Sequence, residues 1–191
     1  GDGVKCGSEA CDHANIASAA RFSDEDLRAI HALLAGQDAG RRVWVNLGIE
    51  TPVGRLFVES GCKGKLGSIR PDDWADASRL HVERLAAAGF LPLVSLVMGL
   101  PGETAADAQA AIDWTRSLGS TPATIFPLLH APMSGSQPAR EDMRREHWEL
   151  LRECYARNMR WIPSMYWEAQ QAAGESKWRM LAGQLGGRLQ G

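Results

Sequence analysis

Charge imbalance is nearly missing from this 191-residue chain: 21 Lys and Arg stand against 23 Asp and Glu, a formal net charge of −2. That removes the electrostatic case for binding nucleic acid or an anionic membrane surface. Long apolar runs are missing too, and the longest, around 90–98, is far too short to span a bilayer. The opening "GDGVKCGSEACDH" lacks the charged-then-apolar layout of a secretory leader. Four cysteines, Cys6, Cys11, Cys62 and Cys154, are too few and too scattered for a disulfide scaffold, so the default setting is reducing and cytoplasmic. Cys6, Cys11 and His13 make a C-x4-C-x-H cluster, but the further ligands that zinc or an iron–sulfur cluster needs are not nearby. Neither G-x-x-x-x-G-K-[ST] nor G-x-G-x-x-G occurs, so no nucleotide fingerprint is present.

What the chain does have is enough apolar residues, 45%, to build a packed core within one domain or part of a larger one. Strand-like and helix-like stretches alternate along it. The apolar segment "ANIASAARF" reads as a first strand. "SDEDLRAIHALLAG" reads as a helix, with Ser23 as N-cap, three acids in its first turn and Gly36 as its stop. "RRVWVNLGIE" is a strand in strict alternation, followed by a Gly/Lys-rich loop, "ESGCKGKLGSIRP". Its lysines are placed to meet a carboxylate or phosphate, or to be solvated. The next helix starts at Pro71, stops at Gly89 and shows Trp74, Ala77, His81, Leu85 and Ala88 on one face.

"FLPLVSLVM" is the third strand, and "TAADAQAAIDWTRSLG" the third helix, with Thr104 and Asp107 spaced as a capping box. "PATIFPLLHAP" is the fourth strand and 138–158 the fourth helix, with Met143, Leu150, Leu151 and Cys154 facing inward. Beyond Trp161 the pattern weakens into an irregular segment, at most one short helix and a Gly-rich tail. Of the seven tryptophans, Trp74, Trp114, Trp148 and Trp178 lie in helix-like stretches where packing accounts for them. His81 and His147 read as packing residues on the same grounds.

Four successive βα units predict an α/β fold with a parallel sheet and right-handed crossovers, whose ligands bind where strands give way to helices. Three turns lie there. The most specific is Gly99-Leu100-Pro101-Gly102, where two glycines permit close backbone approach, Pro101 fixes one φ, and the following helix offers N–H groups to an anion. Glu50 ends the second strand, and a carboxylate there can accept two hydroxyl hydrogens, as from a ribose. His130 and Asn46 are placed to sit over the same mouth.

Together, "VNLGIETP", "LVMGLPGETAAD" and "FPLLHAPMSG" resemble the later half of a radical S-adenosylmethionine enzyme core, in particular its methylthiotransferase-like branch. The resemblance runs over about residues 14–140. It implies a partial (βα) TIM-like barrel of about four βα units with S-adenosyl-L-methionine and a [4Fe–4S] cluster at its mouth, and 5′-deoxyadenosyl-radical chemistry. By the same resemblance Glu50 would hold the cofactor ribose. Ser95 through Met98 with Gly99 would line its adenine and methionine side, and Leu129 and His130 would complete the adenine pocket.

The family's C-x3-C-x2-C cluster loop does not occur in this chain, so the cluster's ligands are not here. The expectation is therefore a back portion of a larger protein, without the front half of its barrel, inactive by itself and with both sheet edges open. It divides into an irregular segment 1–13, the barrel portion 14–140, and a C-terminal helix and extension 141–191. Two other readings fit the same turns: an ordinary α/β enzyme of lyase or hydrolase type with Glu50 and His130 as acid and base, or a non-catalytic nucleoside-binding module. No motif names a substrate.

Overall fold

A computed structural model describes residues 12–36, 40–131 and 143–172. The order is β1 (Asp12–Ala14), α1 (Ile16–Ala19), α2 (Asp24–Ala35), β2 (Val43–Glu50), α3 (Gly54–Phe57), α4 (Trp74–Ala87), β3 (Phe90–Met98), α5 (Ala105–Ser117), β4 (Thr124–Leu129) and α6 (Arg145–Ala172). The four strands form one parallel sheet in the order β1-β2-β3-β4. An α/β fold with an open parallel sheet is thus what the alternating pattern produces.

Alternation decides the two faces. Val43, Val45, Leu47 and Ile49 of β2 are buried against the helices together with Val94, Leu96 and Met98 of β3 and Ile125 of β4. Among the described residues the opposite face is covered only at its lower end, where Leu91 and Leu93 pack against Met165 and Trp161 of α6 and against Trp44. Higher up, Phe126 and Leu128 stay 49% exposed. Capping boxes start α2 at Ser23 and α5 at Thr104, and α5 buries Ala108, Ala111, Ile112, Thr115 and Leu118 as its spacing predicts.

Four expectations need correction. The first strand is not 14–22: β1 ends at Ala14, where that segment begins, and Asn15 caps the one-turn helix α1 by accepting the Ala17 N–H at 2.8 Å. An alanine-rich apolar run without alternation favours the helix. Residues 12 and 13, assigned to an irregular segment, therefore belong to the sheet. The Gly/Lys-rich stretch is wound into short helical turns, Val58–Cys62, Lys63–Lys65 and Pro71–Asp73, rather than an open loop. The last helix runs to Ala172 straight through Pro163. Burial of Trp161 and Met165 on the sheet offsets the hydrogen bond that proline forfeits.

The β4 edge, finally, is not open. Asn158 of α6 accepts the Ile125 N–H at 2.8 Å and donates to the Ile125 carbonyl at 2.7 Å, mimicking a neighbouring strand. Pro127, two residues on and so directed to the same side, has no N–H to leave unpaired. The helix expected from residue 138 starts at Arg145, and residues 132–142 lie outside the described ones, as do Cys6, Cys11 and Trp178.

Candidate functional site

Among the described residues, Glu50 is the only non-glycine with a positive φ, 62°. It is the centre of a three-residue turn closed by the Thr51 N–H on the Ile49 carbonyl at 2.7 Å, a tight and strained γ-type reversal. The register between β2 and β3 slips at this point, between Gly48 and Glu50. What holds the strain is underneath: the indole of Trp74, fully buried, donates Nε1–H to the Thr51 carbonyl at 2.8 Å, and the Thr51 hydroxyl accepts the Val53 N–H at 3.2 Å. Strain of this kind persists where the surroundings over-determine it, and it concentrates at binding and catalytic sites.

The turn folds the Glu50 carboxylate back over Gly48. A Cβ at Gly48 would stand 2.8 Å from Glu50 Oε1. Lys65 Nζ donates to that same Oε1 at 2.6 Å, bringing the Gly/Lys segment onto the open face of the sheet. The hydrogen bond to Glu50 holds the Lys65 ammonium above the usual lysine range, against partial burial. Both side chains are accessible, so the pair contributes only about 0–1 kcal/mol to stability. Asn15, Asn46, Gly48, Glu50, Lys65, Ser95 and Leu128 line one cleft of about 530 Å³. That volume suits a small molecule. Its polar groups comprise one carboxylate, one ammonium, two amides and a hydroxyl.

Strain gives a first expected result. Asparagine tolerates the left-handed region and valine does not. Glu50→Asn should leave stability within about 1 kcal/mol of the parent or raise it, whereas Glu50→Val should cost about 2 kcal/mol. Urea unfolding of the two variants separates them, and equal losses would mean that Glu50 carries no backbone strain.

A second concavity, about 250 Å³, lies beside the β3–α5 turn and is lined by Gly99, Leu100, Gly102, Glu103, Leu129, His130, Arg144 and His147. Gly99 and Gly102 have φ of 74° and 80°, which is why glycine stands at both. The Gly99 N–H, expected to face a ligand, is taken by the Glu103 carboxylate. Glu103 Oε2 also meets His147 Nε2 at 3.0 Å, both side chains being buried. The Arg144 backbone N–H donates to His147 Nδ1 at 3.2 Å, so the ring proton sits on Nε2 and is given to Glu103. The start of α5 is likewise self-satisfied: Thr104 and Asp107 cap each other, and Arg55 pairs with Asp107 at 2.8 Å. These contacts lock the turn to α6.

The candidate residues therefore gather at one end of the sheet but in two places. Asn46, Glu50 and Ser95 share the cleft, while Gly99, Leu100, Gly102, Leu129 and His130 share the smaller concavity. Met98 is buried in the core on the helix side, and Pro101 is exposed at the turn. Glu50 and His130 line different hollows. Lys65, Asn15 and Gly48 were not among the sequence candidates. Lys65 had a signal in "GCKGK", but its partner is fifteen residues away in the chain and no period connects them.

Among the described residues no three His, Cys, Asp or Glu side chains meet as a metal site. Burial raises the Cys62 thiol and pushes that of Cys154 up to about 12, the reverse of what a thiolate ligand needs. The described residues thus do not fit an iron–sulfur cluster. No helix among them is long and apolar enough to cross a membrane. No family model, curated protein or solved structure matches the chain.

Proposed function

We propose that this chain is the carboxyl-terminal portion of a radical S-adenosylmethionine-type partial barrel, and that its own task is to hold the adenosyl group of S-adenosyl-L-methionine. In the full-length protein that cofactor supplies 5′-deoxyadenosyl-radical chemistry. The described residues do not hold the cluster that would reduce it.

The observation that carries the reading is the strained Glu50 carboxylate, turned onto the open face beside Asn46 and Ser95. An ionised carboxylate with two acceptor oxygens suits a vicinal diol, and the Asn46 amide and Ser95 hydroxyl add donors and acceptors around it. Gly48 keeps the floor flat where a side chain would strike Glu50. Strand order supports the same reading. Four adjacent parallel strands in sequence order, with the right-handed crossovers usual for such units, place the connecting helices on one side and leave the upper part of the other, beyond the α6 contact, without cover among the described residues, as on the inner wall of a barrel.

Calorimetric titration of the full chain with S-adenosyl-L-methionine tests it. Saturable binding is expected, weakened about tenfold or more by Glu50→Gln, which loses a charged acceptor, and by Gly48→Ala, which displaces the carboxylate. Leu33→Ala, on the exposed face of α2, should bind as the parent does. Absence of saturable binding, or equal affinity in Glu50→Gln, would sink the proposal.

A further inference from the structure

Glu50 and Lys65 are the only charged side chains among the described residues that line the larger cleft, and they are paired with each other. Lys65 Nζ donates to Glu50 Oε1 at 2.6 Å, and the pair lies over Gly48. A Cβ at Gly48 would stand 2.8 Å from Glu50 Oε1 and 3.5 Å from Lys65 Nζ. The ammonium therefore sits on the floor of the cleft and engages one of the two oxygens that a vicinal diol would use. A ligand that sets its hydroxyls on Glu50 has to move Lys65 first.

Lys65 is built to move. It ends the short helical turn Lys63–Lys65, and its side chain is 47% exposed on a flexible stem, so it can swing without a change of backbone. Partial burial works against its charged form, and the hydrogen bond to Glu50 outweighs that burial. Asn15, Asn46, Gly48, Ser95 and Leu128 complete the lining, and none of them carries a negative charge. When a neutral diol takes Glu50, the attraction within the pair is lost and nothing on these walls replaces it. A ligand that has hydroxyls and an anion restores it, because the hydroxyls take Glu50 while the anion takes Lys65.

We propose that Lys65 is the specificity-determining residue of this cleft: it holds Glu50 against neutral diols and yields it to a hydroxylated ligand that carries a carboxylate or phosphate of its own. This gate rests on the assignment of the cleft to an adenosyl group, and it narrows which adenosyl compounds enter. One substitution should then have opposite effects on two ligands. Lys65→Met keeps an apolar stem of similar length and deletes the charge. A neutral nucleoside should bind about threefold more tightly to it, since the pair is accessible and its attraction modest. The anionic counterpart should bind about tenfold more weakly, having lost a charge-assisted partner.

Calorimetric titration of the full chain with adenosine and with adenosine 5′-monophosphate reads both effects on ligands that differ by a phosphate. S-adenosyl-L-methionine and its decarboxylated form repeat the comparison for a carboxylate. The parent should prefer the anionic member by about thirtyfold, and Lys65→Met should show almost no preference. Raising the sodium chloride concentration about tenfold screens the pair in the unaltered chain, and should strengthen adenosine while weakening its monophosphate. Opposite shifts in either pair of ligands uphold the gate, and the pair that shows them identifies the anion. Shifts of one sign in both pairs, no shifts, or a parent that binds no member of either pair would overturn it. If S-adenosyl-L-methionine binds and Glu50→Gln weakens it while Lys65→Met moves all ligands alike, the cofactor site stands and the gate falls. If only the adenosine pair binds, with opposite shifts, the gate stands and the cofactor assignment falls.

Discussion

Replacing Trp74 by alanine should cost about 3–5 kcal/mol, the largest stability loss expected of any single side chain here. Its ring is fully buried, stacks on Phe57 at a centroid distance of 4.4 Å and hydrogen-bonds the Thr51 carbonyl. The loss therefore has two parts, a cavity in the core and a buried acceptor without its donor. Trp74→Phe separates them. It restores most of the packing while leaving the Thr51 carbonyl unpaired, and should cost about 1–3 kcal/mol. The surroundings give little room for relaxation, because Gly54 passes so close to Pro71 that a Cβ there would lie 1.8 Å from the Pro71 carbonyl oxygen. Urea unfolding monitored by far-UV ellipticity measures both losses. If the turn at Glu50 is over-determined by Trp74, Trp74→Phe should also weaken ligand binding although it never touches the cleft, and a variant that loses stability with unchanged affinity would show that the turn holds itself.

Much of this fold is visible along the chain because its strands and helices carry their periods cleanly. β2 alternates, α5 repeats its small apolar residues at helical spacing, and the caps at Ser23 and Thr104 obey local rules involving four residues each. β1 escapes sequence reading because three residues are too few to show a period, and the apolar run after it carries a stronger strand signal than the real one. The far end of α6 was lost for the opposite reason: Pro163 is a local signal against helix that tertiary packing overrides. Of the candidate site, Glu50, Asn46 and Ser95 were readable as strand-end positions. Their partners were not, since Lys65 and the Glu103–His147 pair are brought in by turns and by contacts across dozens of residues. A backbone angle such as that of Glu50 has no sequence signature at all, because nothing local asks a glutamate to adopt it.

Asn158→Ala should cost about 2–4 kcal/mol, which is far more than the size of the deletion implies. The side chain is buried and serves both the N–H and the carbonyl of Ile125. Alanine removes both partners at once and leaves a donor and an acceptor in a site closed to water. Next to it, Arg157 donates to the carbonyls of Gly119 and Ala123 at 2.9 and 3.2 Å and to that of Thr121, so the α6 backbone is held in place and cannot swing away to let solvent in. Asn158→Asp keeps the acceptor for the Ile125 N–H but sets a carboxylate oxygen against the Ile125 carbonyl, and should be at least as damaging. The two variants also reopen the outer side of β4, where only Pro127 then discourages another strand from pairing. Light scattering should show concentration-dependent association in Asn158→Ala that the parent lacks. If the variant unfolds at the parent's urea midpoint and stays monomeric, the amide is an ornament of the edge and the protection of β4 must come from Pro127 and the bulk of α6 alone.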